Sequence, residues 1–271
     1  MSDSAASSLV LTEVDDQNVA HVVINRPERH NAINLDVLNG LRATFKGLAK
    51  NRELRAVLLS GAGPSFSSGF DTSLFTTSSP ATSAYRMLGT TKAENWFQEP
   101  MYALRRLPVP VIAVIHGNCF GGGVQLALAA DFRFAHPEAQ LSILEARLGL
   151  IPDLTASVTL PELARIDQVK RLAMTGKVIG AAEAAQLGLV TEVAQDPKAA
   201  ALELVAELAA RSPDAIAAGK FLFQNTWTRG HRLSLLAERV TQMRLLSGKN
   251  FRIASKAVAE KTVPKFLPRT W

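Results

Sequence analysis

The sequence predicts a mixed α/β fold of repeated strand–turn–helix units, followed by an all-helical tail. Short buried-type strands rich in β-branched residues recur through the first two hundred positions. Turns of small residues follow these strands, and segments with helical spacing of apolar residues follow the turns. After about residue 195 the strand-like runs cease. We therefore assign residues 1–195 to an α/β core and residues 196–271 to a helical region.

The first predicted elements are a strand pair over residues 9–13 and 19–24 and a polar loop over residues 25–34. The loop contains a stiff proline and three potentially basic groups, a composition that fits either a solvated turn or a clamp for phosphates. Asn34 is suited to cap the helix that follows. Apolar residues recur at helical spacing in that helix, namely Leu38, Leu41, Phe45 and Leu48.

A second buried strand, over residues 55–60, leads to a small-residue turn, SFSSGFD, at residues 65–71. Residues 72–83 contain eight Ser or Thr, which predicts a mobile loop or lid. A helix predicted over residues 93–106 then leads to the segment VIAVIHGNCFGGGVQLALAAD at residues 111–131. In this segment a strand of five apolar residues is followed by a run of three glycines and a helix.

The glycine run opens a helix although glycine loses the most backbone freedom on folding. The first N–H groups of a helix have no partner within it and lie at the positive end of its dipole. They can bind a phosphate or stabilise an oxyanion that forms during a reaction. Tight packing of helix on strand is the alternative explanation. Because a similar turn precedes this one by about fifty residues, each turn could give one N–H to a single oxygen.

Two carboxylates fall in an apolar loop over residues 144–153, after short strands predicted at 132–135 and 140–143. They belong to Glu145 and Asp153. An isolated carboxylate is usually a surface group, but the neighbours here are Leu, Ile, Pro and Gly. Burial and a raised pKa are therefore expected for both.

The last elements are predicted from helix-start and helix-end signals. Pro161 and Gly176 indicate the start and end of one helix, and residues 181–187 form another before a final strand over 188–193. Asp196-Pro197 and Ser212-Pro213 each begin a helix, and the pattern stays helical to about residue 260. One apolar face of this tail, which would need a partner if exposed, comprises Leu233, Leu236, Val240, Met243 and Leu246.

Composition narrows the classes of function. The 47% hydrophobic and 20% charged residues are ordinary for a soluble globular protein, and no apolar run reaches the length of a membrane helix. The single cysteine, Cys119, excludes an internal disulfide, and no signal-peptide pattern is present, so we expect a cytoplasmic protein. The net charge of +6 suits an anionic ligand. Lys and Arg are scattered, however, which argues against nucleic-acid binding.

Four segments, in this order along nearly the whole chain, carry a resemblance to the enoyl-CoA hydratase/isomerase family, also called the crotonase superfamily. They are NRPERHNAIN at 25–34, SFSSGFD at 65–71, IHGNCFGGGVQLALAADFRFA at 115–135 and AQLSILEARLGLIPD at 139–153. The resemblance implies a crotonase-like spiral of repeated ββα units with a C-terminal helical trimerisation region. It implies a homotrimer or a dimer of trimers acting on an acyl-CoA thioester, with no metal and no external cofactor.

The same resemblance implies roles for individual residues. The two N–H groups of an oxyanion hole would belong to Phe70 and Gly122. The loop at residues 26–32 would lie along the phosphates and adenine of coenzyme A, and a C-terminal lysine would reach the nucleotide of its own or a neighbouring subunit. The implied coenzyme A contacts are Arg26, Arg29, Ala32, Ser68 and one of Lys261 or Lys265.

The catalytic positions depart from the hydratase pattern. Hydratases of the family carry two glutamates, of which the second is Glu145, whereas Gln125 replaces the first. A glutamine can orient a water but cannot exchange a proton near neutral pH, and general acid–base participation is typically worth ~10²–10⁴ in rate. Asp153 resembles the acid of the dienoyl-CoA isomerase branch, in which the Glu and this Asp are the proposed proton shuttles. That branch normally has an Asp at the position of Gln125.

These departures favour an enoyl-CoA isomerase that shifts a double bond in a 3-enoyl- or 3,5-dienoyl-CoA, in fatty-acid or related acyl-CoA breakdown. A weak or specialised enoyl-CoA hydratase is the first alternative. A non-catalytic CoA-ester-binding protein is the second, and the retained Glu145 and Asp153 argue against it.

Overall fold

The computed structural model describes residues 9–71, 73 and 91–271. The strands are β1 (Val10–Val14), β2 (Val19–Ile24), β3 (Ala56–Gly61), β4 (Val111–Ile115), β5 (Asn118–Phe120), β6 (Phe132–Ala135), β7 (Gln140–Ser142), β8 (Ile179–Gly180) and β9 (Glu192–Val193). The helices are α1 (Leu35–Leu48), α2 (Glu99–Arg105), α3 (Gly122–Leu128), α4 (Ala156–Leu163), α5 (Ile166–Thr175), α6 (Ala181–Gln186), α7 (Pro197–Ala209), α8 (Pro213–Thr226), α9 (His231–Leu246) and α10 (Lys249–Glu260). Short 3₁₀ helices span Pro27–Arg29 and Glu145–Leu148. The predicted Ser/Thr-rich loop lies outside the described residues except for Ser73.

The described strands form two sheets. The larger has the order β1-β2-β3-β4-β6-β9, in which β1 and β2 pair antiparallel and the other neighbours pair parallel. The smaller has the order β5-β7-β8. The β-branched strand β4 is buried along its whole length, as its composition predicts for a central parallel strand.

Successive units of the chain give one strand to each sheet, which produces a ββα repeat. β4 joins the larger sheet and β5 the smaller, and β6 and β7 repeat this arrangement. The two preceding units contribute single bridges instead of full strands: Ile33 pairs with Phe70, and Ser67 pairs with Cys119. The predicted mixed α/β fold is therefore confirmed.

Helices cover both faces of the larger sheet. α1 is capped by Asn34, whose side chain accepts the Val37 N–H at 2.9 Å, and its predicted apolar face is buried in the main core. On the other face, Ala201 and Val205 of α7 pack in a second cluster that includes side chains of β3, β4 and β6. The first helix after residue 195 thus packs on the sheet, and the division of the chain at this point stays a prediction.

Three predicted boundaries are wrong. α2 begins at Glu99 rather than near residue 93, because the Asn95 side chain accepts the N–H groups of Phe97 and Gln98 and closes a separate turn. Pro161 does not begin a helix but lies inside α4, which ends at Leu163 where the chain becomes extended. A second helix, α5, then runs to Gly176. The final strand is only Glu192–Val193.

The tail is helical, as predicted. Asp196 and Ser212 cap α7 and α8 through their side-chain oxygens. The predicted apolar face of α9 is exposed in the single chain, and Val240 and Met243 are 61% and 72% exposed. Within the described ranges, no helix is long and apolar enough to cross a membrane.

Candidate active site

The ββα repeat brings the two small-residue turns side by side. Ser67 pairs in parallel with Cys119, and the Phe120 N–H donates to the Ser67 carbonyl at 2.9 Å. Phe70 and Gly122 each lie three residues beyond these paired positions, so the repeat carries them to the same edge. A Cβ atom built on Gly122 would lie 3.7 Å from the Phe70 nitrogen. The structure therefore brings together the two residues that the sequence singled out.

Glycine is required where the two turns meet. Gly69 has φ +94°, and a Cβ atom at this position would lie only 2.8 Å from the Phe120 carbonyl oxygen and 3.4 Å from the Gly122 nitrogen. Gly121 has φ +50°, which also favours glycine. The glycines thus permit a close approach of two backbone segments, and this approach places the backbone of Phe70 next to that of Gly122.

The N–H groups at this meeting point differ from those beside them. The Gly121 N–H donates to the Ser142 carbonyl at 2.9 Å, and the Asp71 N–H donates to the Ile33 carbonyl at 3.0 Å. Within the described part of the chain, the Phe70 and Gly122 N–H groups donate to no backbone or side-chain acceptor. Two unengaged donors close together are the arrangement that can stabilise one oxyanion.

Gln125 and Glu145 form a direct contact beside these donors. The Gln125 Nε2 group donates to Glu145 Oε1 at 2.6 Å, and the Leu154 N–H donates to Gln125 Oε1 at 2.7 Å. A Cβ atom built on Gly121 would lie 3.5 Å from Glu145 Oε1, so this carboxylate borders the glycine turn. The sequence left open whether Gln125 orients a water, but its amide lies directly on the Glu145 carboxylate.

The second oxygen of Glu145 is buried and has no hydrogen-bond partner among the described residues. Burial raises the pKa of the Glu145 carboxyl; hydrogen bonds from its own N–H and from Gln125 oppose this change, and the nearby Asp153 charge adds to it. Burial also raises the pKa of Asp153. Both side chains are half-buried, which agrees with the raised pKa values expected from their apolar neighbours.

The loop between β2 and α1 is held to the first small-residue turn by Asn31, which the sequence analysis did not single out. Asn31 is fully buried, and its side-chain Nδ2 donates to the carbonyls of Ala62 and Ser65 at 2.8 and 2.6 Å. Its Oδ1 accepts the Arg26 N–H at 2.8 Å. The residue type was the only signal in the sequence. Asn is among the few residues that tolerate a positive φ, and Asn31 has a φ of 55°.

The residues expected to contact coenzyme A lie in different environments. The Arg26 guanidinium donates to the Ala32 carbonyl at 2.7 Å and pairs with Asp71 at 3.0 Å, so its charge is already balanced within the loop. Arg29 is exposed. Ser68 is partly buried, and its N–H donates to the His30 carbonyl at 2.9 Å. The Arg26–Ala32 loop and Ser68 are therefore neighbours.

The two C-terminal lysines, Lys261 and Lys265, lie on the surface of the single chain. Lys261 ends α10 in a left-handed conformation, and both Lys261 and Lys265 are exposed. Neither side-chain ammonium group forms a hydrogen bond or ion pair with a described residue. Elsewhere in the described ranges, no group of three or more His, Cys, Asp or Glu is placed to hold a metal ion.

The site thus combines two neighbouring N–H donors, a carboxylate with one unpartnered oxygen and a second carboxylate close enough to affect the first. This arrangement can stabilise negative charge on a carbonyl oxygen while a proton is removed from a neighbouring atom.

The family model described as enoyl-CoA hydratase/isomerase matches residues 15–269. The chain therefore belongs to the enoyl-CoA hydratase/isomerase family and has the crotonase fold. Its similarity to dienoyl-CoA isomerases supports the dienoyl-CoA isomerase-like branch of that family.

Particular relatives agree with this assignment. The mitochondrial Delta(3,5)-Delta(2,4)-dienoyl-CoA isomerase of Mus musculus is 34% identical over 233 residues, which cover 81% of this chain and 69% of the relative. The structure of DspI from Pseudomonas aeruginosa superposes with a TM-score of 0.88 at 31% identity, covering 96% of this chain and 97% of that one. An enoyl-CoA hydratase structure from Bacillus anthracis has a TM-score of 0.89 at 26% identity, covering 96% and 100%.

Proposed function

We propose that this protein is an enoyl-CoA isomerase that shifts a carbon–carbon double bond in a 3,5-dienoyl- or 3-enoyl-CoA thioester. The observation that carries the proposal is the unpartnered, buried Oε2 atom of Glu145, whose carboxylate borders the glycine turn where Phe70 and Gly122 lie side by side. A carboxylate oxygen that receives no hydrogen bond in a buried site is costly, and strongly perturbed acids in such sites are candidates for proton transfer.

The reaction can be written with every proton accounted for. The thioester oxygen accepts hydrogen bonds from Phe70 and Gly122, and Glu145 Oε2 takes a proton from C2. The electron pair of the broken C–H bond delocalises through the chain onto the thioester oxygen, where the two N–H groups stabilise it. Protonated Asp153 then donates its proton to C6 of a dienoyl chain, or to C4 of a 3-enoyl chain. The product is the conjugated isomer, and transfer of a proton from Glu145 to Asp153 restores the site.

The two carboxyl groups are suited to unequal roles. Because burial raises both pKa values and the charge of Asp153 further raises that of Glu145, simultaneous ionisation of the pair is disfavoured. One proton shared between two carboxyls is what a base and an acid acting together need. The similarity to the dienoyl-CoA isomerase of Mus musculus supports a double-bond isomerisation as the reaction that this pair serves.

Binding of the coenzyme A portion is proposed for the loop at residues 26–32 and for Ser68, with Lys261 or Lys265 reaching the nucleotide from its own or a neighbouring subunit. Exposed Arg29 and these lysines are available to pair with phosphates, whereas Arg26 holds the loop through Asp71. Coenzyme A is then part of the substrate, and the proposed chemistry uses no separate cofactor. The net charge of +6 suits this anionic ligand, and a cytoplasmic role in acyl-CoA breakdown remains our proposal.

The test is to incubate the purified protein separately with 2-enoyl-, 3-enoyl- and 3,5-dienoyl-CoA and identify the products by mass and absorbance. An isomerase gives a conjugated product of unchanged mass from the 3-enoyl or 3,5-dienoyl ester. A product heavier by one water from the 2-enoyl ester, with no isomerisation, would contradict the proposal. Thermal stabilisation by CoA esters without turnover of any of them would indicate a non-catalytic binding protein.

Hydration is the second candidate because a structural relative is an enoyl-CoA hydratase. The contact of 2.6 Å between Gln125 and Glu145 argues against it, since no water fits between two atoms at that distance. Glu145 would have to activate a water without a second proton-transferring group at position 125. We therefore expect hydration of a short 2-enoyl-CoA to be slow relative to isomerisation.

Assembly as a homotrimer or a dimer of trimers is proposed through residues 200–271. Large apolar side chains of this region are exposed in the single chain, and such surfaces usually mark contacts between proteins. They include Phe223, Trp227, Leu233, Leu235, Leu236, Val240 and Met243. Light scattering at micromolar concentration should give three or six times the chain mass of 29.2 kDa. A monomer at that concentration would refute this assembly.

A further inference from the structure

We propose that Gln125 is a positioning residue that holds Glu145 by one carboxylate oxygen and leaves Oε2 as the atom that takes the proton. The proposal rests on the function proposed above for Glu145, and it assigns Gln125 a role other than orienting a water. Three features of the contact support the proposal. They are the orientation of the Gln125 amide, the burial of Gln125 and the occupation of Glu145 Oε1 by a hydrogen bond.

The orientation of the Gln125 amide is fixed by its neighbours. The Leu154 N–H can only donate, so the amide atom at 2.7 Å from it must be the carbonyl oxygen. The NH₂ group is then directed at Glu145 Oε1, at 2.6 Å. Reversing the amide would set donor against donor at Leu154 and acceptor against acceptor at Glu145.

Burial keeps this amide in place. Gln125 is 1% exposed and lies on α3 between buried apolar neighbours. Moving its side chain would leave the Leu154 N–H without a partner in a buried position, which proteins rarely tolerate. The Gln125 side chain therefore connects the backbone of Leu154 to the carboxylate of Glu145. We call this pair of hydrogen bonds the Gln125 clamp.

The clamp distinguishes the two oxygens of Glu145. Oε1 accepts the hydrogen bond from Gln125 and lies beside Gly121, where a Cβ atom would be in ordinary van der Waals contact with it at 3.5 Å. Oε2 is buried and unpartnered among the described residues. Because the Glu145 carboxylate is held in one orientation, rotation does not displace Oε2 from the position where it can take the proton. Reaction rates depend steeply on such alignment.

The hydrogen bond that Gln125 donates also affects the ionisation of Glu145. Burial raises the pKa of this carboxyl, and the hydrogen bond from Gln125 lowers it by stabilising the charged form. Asp153 is the charged group that opposes this effect. Of the elements around Glu145, α3 and the turn at residues 65–70 contain no titratable side chain. Helix α5, which packs against the 3₁₀ helix of Glu145, carries Asp167, Lys170 and Arg171, and Arg147 lies on that 3₁₀ helix itself. None of these four groups is among the causes that shift the pKa of Glu145. Gln125 therefore helps keep Glu145 ionised at the pH where it must act as a base.

Two variants separate this positioning role from a purely structural one. Gln125→Glu has nearly the same volume and keeps an acceptor for the Leu154 N–H, but it replaces the donor to Glu145 with a second carboxyl. Gln125→Met has a similar length and removes both hydrogen bonds. Both remove the donor, whereas only Gln125→Met leaves the Leu154 N–H without its acceptor. Loss of the Leu154 partner should therefore lower the melting temperature of Gln125→Met more than that of Gln125→Glu.

The experiment measures the pH dependence of kcat and kcat/KM for a 3,5-dienoyl-CoA, together with the titration of Glu145 followed by ¹³C NMR in the ligand-free protein. Both variants should move the ionisation of Glu145 and the acidic limb of kcat/KM to higher pH. For Gln125→Glu the change should be about one pH unit or more, because two carboxyls in contact share a proton. We expect kcat to fall about 10-fold or more in both variants with little change in KM.

Unchanged Glu145 titration and an unchanged acidic limb in both variants would overturn the proposal, even if their stability fell. The NMR titration needs no turnover. A displaced titration in a protein that isomerises no enoyl-CoA would support the clamp and refute the proposed isomerase function.

Discussion

Asp131 and Glu145 lie near opposite ends of α3 and differ in how their carboxylate oxygens are partnered. Asp131 Oδ2 accepts the Val111 N–H at 2.8 Å and the Lys220 ammonium group at 2.7 Å, and Oδ1 accepts from Gln224 at 3.2 Å. Glu145 has a partner on Oε1 and none on Oε2 among the described residues. The first carboxylate is paired with a cation and accepts hydrogen bonds on both oxygens, whereas the second accepts on one oxygen only.

This difference separates a structural carboxylate from a chemical one. Lys220 of α8 is 8% exposed at its side chain, and Asp131 balances its charge while also fixing the start of β4. Burial lowers the pKa of Lys220, and the Asp131 charge opposes this. Glu145 forms no ion pair with a described residue, and burial raises its pKa. Burying a carboxylate without a counter-charge costs stability. A site that transfers protons tolerates this cost, because the raised pKa suits the carboxyl to accept and release a proton.

The largest effect on stability is expected for Asp131→Asn. This variant leaves the Lys220 charge buried without its counter-charge, and breaking a buried pair typically costs about 3–5 kcal/mol. Unfolding by urea measures the loss, while turnover of the folded variant should stay within a few-fold of wild type. Asp167→Asn is the matched control, because its pair with Arg165 is largely exposed and should contribute less than about 1 kcal/mol. Equal losses in the two variants would contradict the structural role of Asp131.

The next effect is expected for Asp153→Asn, which removes the proposed proton donor and keeps the shape of the side chain. Isomerase turnover should fall by about 10²-fold or more, equivalent to about 2.7 kcal/mol. Binding of CoA esters, measured by calorimetry with a non-reacting saturated ester, should change little. Turnover at the parental rate would show that Asp153 is not the acid.

The smallest effect is expected for the stability of Glu145→Gln as a function of pH. Because the folded-state pKa of Glu145 is raised, wild-type stability from this group is present at low pH and is lost as pH rises through that pKa. The neutral amide removes this loss and can still accept the Gln125 hydrogen bond. Glu145→Gln should therefore melt higher than wild type at about pH 8, with the difference disappearing near the ordinary Glu pKa of about 4. A lower melting temperature at pH 8 would contradict the account.

Much of the fold followed from local patterns. The buried strand β4 and the caps at Asn34, Asp196 and Ser212 were predicted from adjacent residues, because backbone preference and capping depend on short-range chemistry. The helix boundaries near Pro161 were wrong because proline is compatible with a helix start but does not require one.

The candidate site was predicted less completely. The pairing of the two small-residue turns was expected from their similar sequences. The contacts of Gln125 with Glu145 and Leu154, and of Arg26 with Asp71, join residues 20 to 45 positions apart. Periodicity indicates which face of an element a residue occupies but not which distant group it meets. Only the three-dimensional structure distinguishes an amide that clamps a carboxylate from one that faces a water.

The most direct measurement is the single-turnover rate of a 3,5-dienoyl-CoA, followed by the absorbance of the conjugated product, in wild type, Glu145→Gln and Asp131→Asn. All three proteins are compared at a temperature where each is folded. The account predicts that Glu145→Gln binds the ester normally but forms product about 10²-fold or more slowly, whereas Asp131→Asn reacts within a few-fold of wild type. Product formation by Glu145→Gln at the wild-type rate would contradict the claim that the unpartnered oxygen of Glu145 is the base.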